Sequence, residues 1–188
     1  FYPDRWLRQC VDNEYIPVDV IIDKDIFYKA QGDVTVGIDC AGAGSGADAS
    51  NWSITFTEKI GNQCFWLYSE EWTANERPDV VIEGMRRLFV FFRPRTGFGD
   101  AFDTAFLHDL NRVLMECGVT RIDVRRFENK AGGNGWDEWF VKPIRFTGPT
   151  KHLMHERMQK YVYACTFRYP AIVDGDTRYA VLQKLLNQ

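Results

Sequence analysis

The sequence predicts an α/β domain: one mixed β-sheet flanked by helices on both faces. Three observations predict it. Val34-Thr35-Val36-Gly37-Ile38-Asp39 is β-rich and apolar enough for a central strand. Two alternating segments then follow, separated by the turn pair Gly61-Asn62, the mark of a hairpin. Beyond them, short strand-like stretches alternate with segments whose apolar residues recur at helical spacing. A hairpin-extended first half followed by α/β units gives a mixed sheet with helices packed on it.

Residues 1–32 read as a connector or lead-in segment punctuated by Pro3 and Pro17, with a short strand expected over 18–22; residues 33–188 form the domain proper. After the strand ending at Asp39 comes a small-residue turn from Cys40 to Asp48. In 51–59, Trp52, Ile54 and Phe56 alternate with Ser53, Thr55 and Thr57, and 64–72 is the partner strand. The segment 77–92 opens with Pro78 at a helix-start position and puts Val81, Met85, Leu88 and Phe92 on one face. A short strand is expected over 96–101. A helix follows over 102–117, with Gly118 as its stop. Residues 121–127 read as a strand, 128–139 as a mobile glycine-bearing loop, and 141–146 as a further short strand. Two helices close the chain, 150–165 with Thr150 as cap and 176–187 with Tyr179, Leu182, Leu185 and Leu186 facing inward.

Bulk properties narrow the function classes. Apolar residues are 45% of the chain, enough for a core, and no run approaches the ~20 residues of a membrane helix. The opening Phe1-Tyr2-Pro3-Asp4-Arg5 is no signal peptide and lacks an initiator Met, as expected of a piece of a longer polypeptide. The five cysteines are odd in number and show no Cys-x-x-Cys spacing, which argues against a disulfide framework and a zinc site and for a reducing, intracellular compartment. Net charge is −3, but it is unevenly spread. Residues 1–80 hold 6 Lys/Arg against 14 Asp/Glu, and residues 81–170 hold 15 against 10. An acidic half can gather cations and a basic half can follow phosphates; two differently solvated faces would give the same imbalance.

Two carboxylates stand out. Asp39 ends the most apolar strand, and ligand sites in open α/β sheets gather at the carboxyl ends of strands. Asp100 ends Gly97-Phe98-Gly99-Asp100 just before a helix. Each has a plain alternative: Asp39 as an Asx cap of the turn, and Asp100, or the nearby Asp103, as a helix N-cap. Two such strand-end acids in one sheet would repel each other unless a cation sat between them. Hard oxygen ligands of this kind suit Mg²⁺ or Mn²⁺, and paired ions of that type serve phosphodiester hydrolysis.

Other chemistries find less support. Gly37-Ile38-Asp39 with a glycine turn also opens the actin-like ATPase fold. That fold needs further phosphate-binding turns, and Gly132-Gly133-Asn134-Gly135 is the only other glycine cluster. No P-loop motif occurs. His152 and His155 sit three apart on one helix, where a solvated basic face with Lys151, Arg157 and Lys160 accounts for them; His108 reads as surface. No serine lies in a nucleophile motif.

With these residues in hand, the sequence resembles the nuclease domain of the large terminase subunit of tailed bacteriophages. The likeness rests on Pro3-Asp4-Arg5-Trp6-Leu7-Arg8-Gln9 through Asn13-Glu14 as the connector leaving an ATPase domain. It rests also on Val36-Gly37-Ile38-Asp39-Cys40-Ala41-Gly42-Ala43-Gly44 with Asp48 and Ser50 as the first acidic motif, and on Phe98-Gly99-Asp100-Ala101-Phe102 as the second. Phe127 through Lys151-His152-Leu153-Met154 to Tyr169-Pro170 is more loosely similar to the family's strand, basic helix and small loop. The resemblance implies a ribonuclease-H-like fold and a metal-dependent endonuclease that cuts concatemeric double-stranded viral DNA during packaging, using Mg²⁺ or Mn²⁺, two ions in all. It implies Asp39 and Asp100 as catalytic metal ligands. The third carboxylate is either Asp176 or a residue beyond Gln188; the family's late acid follows a Leu-rich segment like 181–186, which Asp176 precedes. Arg125, Arg126, Lys130, Lys151 and Arg157 are candidate contacts to the DNA backbone. The implied partners are double-stranded DNA, the ATPase domain of the same polypeptide, and the portal and small terminase subunit, with no membrane, in the host cytoplasm. Another nuclease of the same fold, such as a resolvase or transposase core, and a non-catalytic docking domain of a packaging assembly are the alternatives.

Overall fold

The computed structural model describes residues 4–15, 18–21, 26–40, 50–122 and 135–171. In chain order the elements are α1 (Asp4–Gln9), β1 (Val11–Asp12), β2 (Asp33–Asp39), β3 (Trp52–Ile60), β4 (Gln63–Trp72), α2 (Pro78–Phe92), β5 (Thr96–Asp100), a 3₁₀ turn (Ala101–Asp103), α3 (Thr104–Glu116), a second 3₁₀ turn (Trp136–Glu138), β6 (Val141–Ile144), α4 (Gly148–Tyr163) and β7 (Phe167–Pro170). The described strands form one seven-stranded mixed sheet in the order β1-β7-β4-β3-β2-β5-β6. β3 runs antiparallel to β2 and β4, as the hairpin requires, while β5 joins β2 in parallel and β6 joins β5 in parallel.

Alternation along the strands sorts residues onto two faces. Val34, Val36 and Ile38 of β2 and Ile54 and Phe56 of β3 pack with Val81, Met85, Leu88, Phe89 and Phe92 of α2 and Phe106, Leu107, Leu110 and Leu114 of α3 in the main core. Aromatic rings mesh there: Phe56 stacks on Phe92 at 4.4 Å and meets Phe89 edge-on at 5.8 Å, and Trp52 lies 4.3 Å from Phe106. The opposite face has a smaller core of Leu7 and Cys10 near α1, Trp66 of β4, Val162 of α4, and Phe167 and Tyr169 of β7. Helices therefore lie on both faces, α2 and α3 on one and α4 with α1 on the other.

β5 is built to let α3 come close. A Cβ on Gly99 would lie 2.5 Å from Cδ2 of the buried Leu107, and one on Gly97 would lie 2.8 Å from Val36 Cγ1. At the outer edge, the buried Asn111 side chain of α3 accepts a hydrogen bond from the Val141 N–H at 2.9 Å and donates one to the Val141 carbonyl at 3.0 Å. Buried Glu58 accepts from the backbone N–H of Gly32 at 2.6 Å and from the Tyr28 hydroxyl at 2.6 Å, fixing the approach to β2.

Several expectations need correction. Residues 18–21 form no strand; in place of a short strand there, the lead-in supplies α1 and β1, and β1 pairs in parallel with β7. β7 itself was not expected, and its pairing with β4 turns an anticipated loop into part of the sheet. The helix expected over 150–165 is α4 and begins at Gly148, because Thr147 rather than Thr150 is the cap: its hydroxyl accepts from the Thr150 N–H at 3.4 Å, with Pro149 in the first turn. Helix α3 is preceded by a 3₁₀ turn, since Asp100 and Asp103 each cap a turn of their own. Arg121 and Ile122 are not in a strand, and the rest of the strand expected over 121–127 lies outside the described residues, as do the glycine cluster at 132–134 and the closing helix over 176–187.

Candidate metal centre

β2 and β5 pair in parallel with Ile38 opposite Gly99, so the next residues, Asp39 and Asp100, end the two strands side by side. Alternation puts both on the face opposite α2 and α3, since Ile38 and Gly99 are turned into the main core. The arrangement follows from sequence: an apolar strand terminates in an acid, and a glycine strand lies close enough to share its register.

The electrostatics agree with close placement. Asp39 is held above the ordinary carboxylate range, first by burial and then by the negative charge of Asp100, with Lys151 pulling the other way. The thiol of Cys40, the next residue, is pushed up to about 12 by burial and by Asp103, Asp100 and Asp39. Desolvation and like-charge repulsion both disfavour ionised Asp39, and a cation between it and Asp100 would relieve both.

Asp100 also caps the turn that follows. Its Oδ1 accepts from the Phe102 N–H at 3.0 Å, and Asp103 accepts from the Phe106 N–H at 2.9 Å to cap α3. The cap reading and the paired-acid reading of Asp100 thus hold together: one oxygen is tied to the backbone, which fixes the carboxylate beside Asp39.

Two residues near the pair escaped sequence reasoning. Asp39 faces Ser53, and Ser53 faces Glu71, so a row Asp100–Asp39–Ser53–Glu71 crosses four strands on one face. Glu71 accepts from the Asn51 amide at 2.6 Å, and Asn51 accepts from the Ala74 N–H at 3.1 Å, so it braces the hairpin end. At two strand spacings, about 10 Å, from Asp39, it is too far to share one cation with it. Lys142 lies opposite Phe98, on the same face as the acids and one step behind them. Only the strand register reveals either residue.

Of the other candidates, Lys151 and Arg157 are exposed on α4, and Lys151 acts electrostatically on Asp39. His152 lies 3.3 Å from Glu156, and no group of three or more His, Cys, Asp or Glu with metal-binding placement occurs among the described residues. His108, expected on the surface, is partly buried and meets Trp139 edge-on at 5.7 Å. Arg125, Arg126, Lys130 and Asp176 lie outside the described residues.

No family model matches the chain, and no curated protein matches it. Among solved structures it is similar to the human cytomegalovirus terminase nuclease domain, determined after a manganese soak with an inhibitor bound. The TM-score is 0.55 at 10% identity, over 100% of this chain and 88% of that one. The fold is ribonuclease-H-like. In this ribonuclease-H-like domain the likeness is one of architecture, and chemistry has to be argued from the side chains. No helix among the described residues is long and apolar enough to cross a membrane.

Proposed function

We propose that this chain is a divalent-metal-dependent DNA endonuclease, the nuclease domain of a terminase large subunit from a tailed bacteriophage, cutting concatemeric double-stranded DNA during genome packaging. The observation that carries this reading is the Asp39/Asp100 pair at the ends of adjacent parallel strands on one face. The manganese-soaked terminase nuclease of the same fold supports it.

The donor set fits Mg²⁺ or Mn²⁺. Both side chains are hard oxygen ligands, and Asp39 has its pKa raised first by burial and then by the charge of Asp100, which a cation would offset. Asp39, between Asp100 and Ser53, would hold two ions in common, and Asp100 would hold one. When bound, such ions lower the pKa of water and stabilise the leaving oxygen of a phosphodiester. The chain's own part is to fix the acids: strand pairing sets Asp39, and the Phe102 N–H orients Asp100. A third carboxylate, Asp176 or a residue beyond Gln188, would complete the set. Basic residues, Arg125, Arg126, Lys130, Lys151 and Arg157, would follow the DNA backbone without reading sequence, so affinity should fall steeply with salt. The proposed partners are duplex DNA, an ATPase domain of the same polypeptide, the portal and the small terminase subunit.

Supercoiled plasmid incubated with Mn²⁺ tests the reading. The wild-type chain should nick and linearise it, EDTA should stop the reaction, and Asp39→Asn and Asp100→Asn should each lower the rate by about 10³-fold, roughly 4 kcal/mol of barrier, with circular dichroism unchanged. Wild-type rates in either variant would remove the pair from the chemistry.

A further inference from the structure

β5 is an interior strand, paired with β2 on one side and β6 on the other, yet Phe98 at its middle is 40% exposed. Interior strands of sheets with helices on both faces are ordinarily covered on both. Alternation fixes where the ring goes. Gly97 and Gly99 turn toward Val36, Val141 and Leu107 of the main core. Phe98 therefore turns to the opposite face with Asp100, two residues and about 7 Å further along the strand. Register sets its neighbours. Phe98 lies opposite Gly37 of β2 and Lys142 of β6, so a row Lys142–Phe98–Gly37 runs one step behind Asp100 and Asp39. A Cβ added to Gly37 would meet nothing within 4 Å, which leaves one flank of the ring bare. On the other flank stands the charge of Lys142.

A single exposed phenylalanine is ordinary; this one is set apart by its row. A ring between a cation and a bare glycine, continuous with two strand-end acids, suits an occupant that carries apolar edges and negative charge together. A DNA strand does: each sugar presents C–H edges, and each phosphate an anion. We propose that Phe98 and Lys142 seat the nucleotide next to the scissile phosphate. Phe98 packs on the C–H edge of its deoxyribose, Lys142 pairs with its phosphate, and Gly37 leaves room for the backbone to lie flat on the sheet. The strand is thereby laid across Asp39 and Asp100. Neither contact touches a base edge, so the row positions DNA without reading sequence. This rests on the nuclease reading and deepens it, because it names the surface that brings the phosphodiester to the acids.

The test uses the whole chain with Phe98→Thr, Phe98→Leu and Lys142→Ala. Threonine already occupies Thr35 and Thr55 on this face, so Phe98→Thr should keep the strand. Affinity for a labelled duplex is measured by fluorescence anisotropy over a range of salt, with Ca²⁺ in place of Mn²⁺, and Mn²⁺ alone is titrated by calorimetry. Phe98→Thr should weaken duplex binding by about 5- to 10-fold at every salt concentration, leaving the salt slope unchanged, and Phe98→Leu should recover most of the loss. Lys142→Ala should weaken binding and reduce the slope by about one. Mn²⁺ binding should stay within about twofold of wild type in all three, since neither side chain is a hard oxygen ligand. Wild-type affinity in Phe98→Thr, or a wild-type slope in Lys142→Ala, overturns the proposal and leaves the nuclease reading standing; the row would then be covered by something other than DNA. Loss of duplex and Mn²⁺ binding together in Phe98→Thr also overturns it, because the ring would merely brace β5. A wild-type chain that binds duplex with these signatures but leaves plasmid intact in Mn²⁺ sinks the nuclease reading instead, and keeps the row as a DNA contact.

Discussion

Along β2, Val34, Val36 and Ile38 sit in the main core with no more than 4% of their surface exposed, while Thr35, Gly37 and Asp39, alternating with them, face the other way. β3 divides likewise: Trp52, Ile54 and Phe56 go to the core, and Ser53, Thr55 and Thr57 to the opposite face. That opposite face is held by hydroxyls, Thr35 to Thr57 at 3.0 Å and Thr55 to Ser69 at 2.8 Å, with the Trp66 indole N–H donating to Ser69 at 2.8 Å. One set of strands thus does two jobs. The aromatic face supplies stability, and the polar face, relieved of that task, can bear two like charges side by side.

The comparison would break first at Phe56. It is fully buried between Phe89 and Phe92, and Phe56→Ala should cost about 3–5 kcal/mol in urea unfolding. The remaining folded molecules should keep wild-type nicking rates, since that ring packs in the main core, on the face opposite the acids. A large loss of kcat in the folded fraction would show the two faces to be coupled.

Gly99→Ala probes the place where they are coupled. The new methyl group would collide with Leu107, so stability should fall by about 1–3 kcal/mol. Because Asp100 follows directly, nicking should fall as well. Leu107→Val in the same chain should recover part of both. Recovery of stability without activity would place the activity defect in β5 itself rather than in the seating of α3.

The smallest effect isolates the charge. Asp39 has a raised folded-state pKa, so the folded protein holds its proton more tightly than the unfolded chain does. Ionising it therefore subtracts stability: nothing is lost below the ordinary carboxylate range, and the deficit grows as pH rises through the raised value. In EDTA at neutral pH, Asp39→Asn should raise Tm by about 1–2 °C, and the gain should vanish in acid. Calorimetry at the two pH values checks it, and a lower Tm in the variant at neutral pH would mean that Asp39 is a structural cap after all.

What could be read from sequence follows the same division. The core face announced itself, because Trp52, Ile54 and Phe56 alternate and the α2 residues repeat at helical spacing. The acid pair was legible because each acid closes a strand whose character is plain, apolar for Asp39 and glycine-rich for Asp100. β7 was not: it has four residues, and it is entered through Cys165 at φ 53, a left-handed position carrying no glycine to mark the turn. β1 has two residues and exists only through its pairing with β7. The Thr147 cap had a local signal, Pro149 two residues on, and was misplaced by three positions. Lys142 had none, since pairing between strands distant in sequence brings it to the acid face, and Glu71 needed the register of both the β2–β3 and β3–β4 pairings, which the predicted hairpin alone does not fix.

The Asn111 clasp on β6 has a consequence for how this molecule behaves in company. In a strand, alternate residues turn their N–H and C=O groups outward, so along the side of β6 that pairs with no strand among the described residues the outward positions are Val141 and Pro143. The first has both groups taken by Asn111, and the second has no N–H to offer. Over these four residues that side of β6 presents no N–H with which an incoming strand could begin a ladder, so among the described strands the edge nearest the acids is closed to growth by addition of another chain. Molecules crowded together at high concentration should therefore meet through side chains and not by extending one another's sheets at this edge.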